Sequence, residues 1–420
     1  MTSRPAVAIV TSNFWPEQTG IGQVTTEFAQ FLASNGIDLR VATGMPYYPE
    51  WRIYEAYRGR IGVTERLGQI LIHRAWHYSK PAPGVFGRLA HEASLCIFCV
   101  PQILRALDGA DIVYVVSPDL SLAFVASILA RITGKRRALI VQDVQPEAAV
   151  DLGILRNPRL VRIAEWMARS IYESSDEIYT LSEGMRRRIA ARTSKPEKIA
   201  LMPNTIDAEE LARVDGETSQ FRDKFVKGDT FAVVHAGNMG QKQDLDLILR
   251  TAQRVRDNSR IHFYVFGDGA VKDEFLRKRD EESLSNVSHF PFQDRQMLPH
   301  MLREADVVLV SQLPEVVDVV VPSKLMTAMG AGAMIVAACA ESSETATIIR
   351  ESGGGIVIPA SDEAALSETL VALSTGSVGS TSYRTAARSY AVAHFDRNTV
   401  YRPRVDALLA EREGTRPAKR

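Results

Sequence analysis

The stretch His235-Ala236-Gly237-Asn238-Met239-Gly240-Gln241-Lys242-Gln243 follows Phe231-Ala232-Val233-Val234 and precedes Leu245, Ile248, Leu249 and Ala252. The first run is apolar and β-branched, bounded by Gly228-Asp229, the pattern of a buried strand. The later residues recur at helical spacing, so the glycines fall on a strand-to-helix turn. Such a turn directs backbone N–H groups and the positive end of a helix dipole at one point, and Lys242 adds a full charge at its mouth. Phosphate fits there. An ordinary tight βα turn that needs glycine is the plainer reading, and this segment alone does not separate the two.

Outward from that turn, strands are expected at 231–235, 261–266, 287–290, 307–310, 334–338 and 355–358, with helices after most of them. Gly267-Asp268-Gly269 ends one strand in a second tight turn. The first half keeps the same rhythm. Strands are expected at Ala6–Val10, Leu39–Thr43, Val113–Val116, Leu139–Val141, Glu177–Leu181 and Ile199–Met202, separated by helical stretches such as 120–132, 159–174 and 183–192. Alternation of this kind predicts an α/β chain with two parallel, doubly wound sheets, whose ligand sites lie at the carboxyl ends of the strands. The rhythm breaks at Pro203-Asn204-Thr205-Ile206-Asp207 and the polar stretch 208–229. The expected division is therefore 1–205, 206–383, a helical segment 384–412, and a charged tail 413–420 expected to fray.

A length of 420 residues suits two cores rather than one. The 50 basic and 50 acidic residues cancel, which argues against a protein that coats nucleic acid. Three cysteines point to a reducing compartment; Cys96-x-x-Cys99 sits in an apolar run and reads as two buried helical thiols rather than a redox pair. Met1-Thr2-Ser3-Arg4-Pro5 leads straight into a strand, and no run reaches a membrane span, so a cytoplasmic location is expected. Residues 84–107 read as a core helix or, alternatively, as a face in peripheral contact with a membrane. The aromatic loop 46–60 reads as a lid or acceptor platform, or as a surface hairpin packed down by its own rings.

Gly20-x-Gly22, in the loop after the first strand, lacks the third glycine of the dinucleotide fingerprint, since Thr25 stands there. A second anion element follows at Val321-Pro322-Ser323-Lys324-Leu325-Met326. There a helix starts with Pro322 at its first turn, Ser323 as a potential cap and Lys324 beside free amides. Two helix N-termini, each with a lysine, suit a diphosphate better than a single phosphate.

With these motifs the sequence resembles the retaining glycosyltransferases of the GT-B fold, within glycosyltransferase family 4, and most closely the colanic-acid type of exopolysaccharide transferase. The resemblance rests on Phe14-Trp15-Pro16-Glu17-x-Thr19-Gly20-Ile21-Gly22, Pro46-Tyr47-Tyr48-Pro49-Glu50-Trp51 and Gln142-Asp143-Val144-Gln145-Pro146-Glu147. It continues through Gly237-Asn238-Met239-Gly240-x-Lys242-Gln243, Gly267-Asp268-Gly269 and Asp318-x-x-x-Pro322-Ser323-Lys324-Leu325. It implies two Rossmann-like domains facing an interdomain cleft, with the last helix crossing back to the first domain. It also implies transfer of a sugar, with retention, from a UDP- or GDP-sugar to a glycan or polyprenyl-diphosphate-linked acceptor. The nucleotide sugar is then a substrate, and no cofactor or metal is implied.

Carried onto this chain, the resemblance puts Lys242 on the donor diphosphate. Gly237, Asn238, Gly240, Gly267, Ser323, Lys324, Leu325 and Thr327 surround the donor. Asn238 stands where many members carry an arginine, and Lys324 is the candidate substitute. Thr327 and Val319 replace the family's paired glutamates, so Asp318, with Glu315 second, is the nearest acid to the donor sugar. The family histidine after the first-domain strand is absent. Asp143 and Glu147 are the candidates for positioning the acceptor hydroxyl or taking its proton; an ion pair or a cap is the plainer role for them. Glu17, Thr19, Gly20 and Gly22 form an acceptor or phosphate loop. An epimerase of the same fold, needing no acceptor, and a catalytically silent partner of another transferase are the competing functions.

Overall fold

A computed structural model describes residues 4–18, 20–146, 157–212, 220–316 and 322–412. The chain forms two compact units, one of Met1–Met202 with Tyr401–Arg420, the other of Pro203–Val400.

The first unit runs β1 (Ala6–Val10), α1 (Gly20–Ser34), β2 (Asp38–Gly44), β3 (Gly62–Leu67), β4 (Ile70–Ala75), α2 (Val85–Leu107), β5 (Ile112–Ser117), α3 (Leu120–Ile132), β6 (Arg136–Val141), α4 (Pro158–Ser174), β7 (Glu177–Thr180), α5 (Glu183–Ala190) and β8 (Ile199–Leu201). Its eight-stranded sheet has the order β3-β4-β2-β1-β5-β6-β7-β8. All neighbours are parallel except β3 and β4, an antiparallel hairpin on one edge that the strand rhythm did not predict. The reason is local: β3 alternates exposed and half-buried residues and carries Glu65 and Arg66, so its apolar signal is weak. β5, in contrast, is buried at every residue, as a central parallel strand covered on both faces must be. Right-handed crossovers put α2, α3 and α4 on one face of the sheet and α1 on the other.

The second unit runs α6 (Ala208–Ala212), α7 (Gln220–Phe225), β9 (Phe231–Ala236), α8 (Asp246–Arg254), β10 (Ile261–Phe266), α9 (Lys272–Glu281), β11 (Val287–Phe290), α10 (Met297–Glu304), β12 (Val307–Ser311), α11 (Ser323–Gly330), β13 (Ile335–Cys339), α12 (Glu344–Ser352), β14 (Gly355–Pro359), α13 (Glu363–Ser374) and α14 (Thr381–His394). The sheet order is β11-β10-β9-β12-β13-β14, and every pair is parallel. Alternate residues of β9 serve two cores: Ala232 and Val234 pack with Leu325, Ala328 and Met329 of α11, while Val233 packs with Ile248 and Ala252 of α8.

The helical segment expected at 384–412 consists of two helices. α14 stays in the second unit, where Ala387 and Ala391 are buried in its core and Arg388 Nη1 donates to Gly330 O at 2.6 Å. The break comes at Asp396, whose carboxylate accepts from the amides of Ala208 (3.1 Å) and Asn398 (2.9 Å) and so caps the start of the last helix, α15 (Arg397–Arg412). From Tyr401 onward α15 belongs to the first unit. There the Tyr401 ring lies 5.0 Å from Phe28 and 5.5 Å from Phe31, and the Arg404 guanidinium sits 4.8 Å over the Tyr179 ring.

What positions the loops of the second unit is an interlock of two βα turns. Gly237 N donates to Phe266 O at 2.9 Å, Met239 N to Asp268 O at 2.9 Å, and Val271 N to Met239 O at 3.1 Å. A Cβ at Gly267 would lie 1.9 Å from Gly237 O, and one at Gly269 would lie 2.5 Å from Met239 O. Both glycines also have φ above +150°, where side chains are strained. Gly267→Ala is accordingly expected to lower unfolding stability by at least about 3 kcal/mol. Gly379→Ala, at an exposed position outside any helix where no atom lies within 4 Å, should change it by less than about 0.5 kcal/mol. Denaturant melts of the two variants test the comparison.

Candidate functional site

In the second unit the structure brings together the two elements that the sequence marks separately. Lys324, from the first turn of α11, reaches the glycine turn after β9: its Nζ donates to Gln243 Oε1 at 2.8 Å, and a Cβ at Gly237 would be 3.4 Å from Lys324 Cε. Gly237 has φ +134°, a backbone conformation that a side chain would strain, and it is this conformation rather than space beside the ammonium that calls for glycine. Burial lowers the Lys324 pKa to about 8, because the charged form loses hydration that a single amide oxygen does not replace. Beneath the turn His235 is buried at 1% exposure, and burial together with the Lys324 charge holds its ring neutral. Lys324 is thus a partly dehydrated cation hydrogen-bonded to a neutral amide.

The helix starts differ from the sequence expectation in two respects. Pro322, with extended φ and ψ, is itself the N-cap of α11 and makes no side-chain cap bond; Ser323 is the first helical residue. The amides of Leu325 and Met326 donate back to Pro322 O at 3.0 and 3.3 Å, and those of Ser323 and Lys324 form the positive end of the helix beside the lysine. α8 begins only at Asp246, and its terminus is occupied by Asp244, which is buried and whose Oδ1 accepts from Leu247 N at 3.0 Å. The dipole of α8 is thus directed at a carboxylate of the chain itself. Asp244 Oδ2 also accepts from Ser361 Oγ, and Asp246 pairs with Lys278 at 2.6 Å.

The other donor-side candidates sort by where their atoms point. Lys242 is exposed at the mouth of the turn, its carbonyl held by Leu313 N at 3.2 Å. Asn238 is exposed, and a Cβ on Gly240 would come within 2.8 Å of its Nδ2. Ser323 is exposed at the α11 start. Leu325 is fully buried in the core, so its side chain is a packing residue and not a donor contact. Thr327 donates its hydroxyl to Ser323 O at 2.8 Å, an i−4 bond that ties it to its own helix. Gly267 serves the turn interlock. Asp318 lies outside the described residues, and Glu315 is exposed.

In the first unit, the loop at Glu17 has a different job from the one its glycines suggested. Glu17 is 3% exposed; its Oε1 accepts from the amides of Tyr47 (2.7 Å) and Tyr48 (2.9 Å), and its Oε2 from Asn13 Nδ2 (2.9 Å). Burial raises its pKa against the opposing pull of those bonds and of Arg74. Glu17 is therefore the strut that ties the first loop to the aromatic loop. Gly20 and Gly22 belong to α1 rather than to a loop, and Gly22 is small because a Cβ there would sit 3.0 Å from the Glu17 Cβ. Thr19 and Glu147 lie outside the described residues; Asp143 is exposed just past the carboxyl end of β6.

Sequence reasoning passed over a group at the carboxyl end of β5. Asp119 caps α3 through Leu122 N at 3.1 Å, and Ser121 Oγ donates to Glu92 Oε2 at 2.7 Å, with both carboxyls raised in pKa by burial. Beside them the rings of Tyr47, His77 and His91 lie 4.7–4.8 Å apart, and Trp51 stands 5.3 Å from Tyr47 and from His91. The aromatic loop is thus packed down by its own rings at Tyr47 and Trp51, while Tyr48 is 39% exposed. The signal for Asp119 was its position two residues after a buried strand; for His77 and His91, whose surroundings come from α2 and the aromatic loop, there was none. Cys96 and Cys99 are unbridged thiols on α2, and burial pushes Cys96 up to about 12.

Comparison with known proteins adds independent evidence. Residues 19–205 match the family described as a glycosyl transferase 4-like domain, and residues 230–375 match the glycosyl transferases group 1 family. The putative colanic acid biosynthesis glycosyl transferase WcaI of Escherichia coli is 28% identical over 396 residues, covering 93% of this chain and 96% of that protein. Among solved structures, HepE of Anabaena in complex with UDP superposes with a TM-score of 0.69 at 13% identity, over 97% of this chain and all of that one. Sucrose-phosphate synthase of Thermosynechococcus elongatus gives 0.70 at 12% identity, over 98% of this chain and all of that one. Two parallel-sheet Rossmann-like units, each matched by its own transferase family, make this chain a glycosyltransferase of the GT-B fold.

Proposed function

We propose that the protein transfers a sugar, with retention, from a UDP- or GDP-sugar to a glycan or polyprenyl-diphosphate-linked acceptor in the assembly of a surface polysaccharide. The observation that carries the reading is Lys324: a half-buried cation lying on the glycine turn at the start of α11. A diphosphate placed there replaces the lost hydration of the ammonium and accepts from the backbone amides. HepE, solved with UDP and with UDP-glucose, and WcaI, named for colanic acid biosynthesis, support the donor and the acceptor class respectively.

In this reading the bond between the anomeric carbon and the β-phosphate oxygen breaks while a bond to the acceptor oxygen forms on the same face. The acceptor proton leaves to a carboxylate or to the departing phosphate. Negative charge builds on that phosphate, and Lys242 and Lys324 stabilise it, which is the electrostatic role metal ions hold at other phosphate sites. Ser323 and Asn238 are donor contacts. Asp318 is the acid proposed for the donor sugar, and Asp143 and Glu147 are those proposed for the acceptor hydroxyl.

A thermal-shift screen against UDP, GDP and their sugars names the donor, because ligand that binds only the native state raises its melting temperature. Transfer to lipid-linked acceptors then tests the reaction; epimerised nucleotide sugar from donor alone would replace it with the isomerase reading. Lys242→Ala is expected to lower kcat by about a hundredfold or more without moving the melting temperature. Unchanged kinetics would remove Lys242 from the mechanism.

Lys324→Met should do two opposite things. It weakens UDP or GDP binding, read by calorimetry, and it stabilises the ligand-free protein by on the order of 1–3 kcal/mol, since a half-buried ammonium no longer has to be partly desolvated. The pH sign follows. The folded pKa near 8 lies below the ordinary 10.5, so the folded chain holds fewer protons in that window and ligand-free stability rises with pH across it. Nucleotide affinity should fall as pH passes above about 8, and the Lys324→Met variant should lose both trends.

A further inference from the structure

Among the described residues, large exposed apolar side chains gather on three neighbouring helices of the first unit: four on α2, two on α3 and three on α4. Phe86 is 88% exposed, Ile132 76%, Ile97 68% and Trp166 58%. The helices are side by side, since Ser121 of α3 bonds Glu92 of α2 and the Phe124 ring of α3 lies 5.3 Å from Trp166 of α4. Single exposed apolar residues are ordinary, but a shared layer of them marks a surface that something covers.

Along α2 the exposed residues Phe86, Ala90, Ala93, Ile97 and Leu104 recur at steps of three, four or seven and form one stripe. The only carboxylate between Leu89 and Leu104 is Glu92, half-buried and engaged by Ser121. On α4, exposed Arg159, Arg162 and Arg169 flank Ile163 and Trp166, with Arg131 at the end of α3; Glu165 is the exposed acid among them. The whole chain carries no net charge, so this excess is local.

From this arrangement we infer that the α2–α3–α4 face seats the protein on an anionic phospholipid bilayer. Apolar side chains enter the level of the headgroups while arginines, with long stems and charged ends, pair with lipid phosphates. No described helix is long and apolar enough to cross a bilayer, so the contact lies flat on the surface. A second copy fits less well, because a two-fold contact through this patch sets its arginines against the same arginines.

Flotation of the full chain with vesicles tests the inference, using phosphatidylethanolamine mixed with phosphatidylglycerol against phosphatidylcholine alone. The wild type should float with the anionic vesicles, be released by high salt, and bind phosphatidylcholine at least about tenfold less. The variants Arg159→Glu/Arg162→Glu/Arg169→Glu and Phe86→Ser/Ile97→Ser should each lose binding about tenfold or more while keeping the wild-type melting temperature and nucleotide shift. A wild type that stays with the soluble fraction overturns the inference. So does a dimer in sedimentation velocity that the Phe86→Ser/Ile97→Ser variant dissociates. The readout is separate from catalysis: a chain without transfer activity that still floats would sink the function proposed above and leave this surface standing.

Discussion

The second unit depends on one close approach, the backbone of Gly237–Met239 laid against that of Gly267–Gly269. Parallel strands β9 and β10 end side by side, and their turns are joined by hydrogen bonds from Gly237 and Met239 at 2.9 Å. The separation that allows those bonds leaves no space for a Cβ at Gly267. Because the two turns brace one another, the loop carrying Asn238 and Lys242 is fixed where Lys324 of α11 can reach it. The cation site is a consequence of sheet geometry as much as of its own residues.

That dependence separates two meanings of glycine in a phosphate-type motif. Gly237 supplies a backbone conformation, φ +134°, whereas Gly267 and Gly269 let two backbones touch. Gly22, in the first unit, does neither; it makes room for Glu17, the buried acid whose bonds to Tyr47 and Tyr48 hold the aromatic loop. Only at Gly267 and Gly269 is the missing side chain explained by a neighbour distant in sequence.

Electrostatics follow the same logic. A lysine in water is a weak discriminator between ligands, while a lysine with lowered pKa at a helix start is held in readiness for an anion. The buried Asp244 gives the contrast, since it satisfies the N-terminus of α8 from within the chain. Of the two helix starts that the sequence offered as anion sites, that of α8 is closed by Asp244, and that of α11 carries Lys324.

By itself the sequence determined the α/β class, all six strands of the second unit and the order of its turns, because fully buried parallel strands are near-continuous apolar runs and their turns need glycine. It also singled out Lys242 and Lys324 from charge placed beside expected helix starts, and Ser323 as a cap, a position that Pro322 takes. It did not determine the β3–β4 hairpin, whose alternating polar residues imitate a loop, nor the division of the last helical segment at Asp396, which depends on the amide of Ala208. Only tertiary structure decided that Leu325 packs inward, that Glu17 is a strut, and that Lys324 meets Gly237 across 87 positions of sequence. These are matters of which atoms are neighbours after folding, and local spacing along a chain carries no information about a partner supplied by another strand.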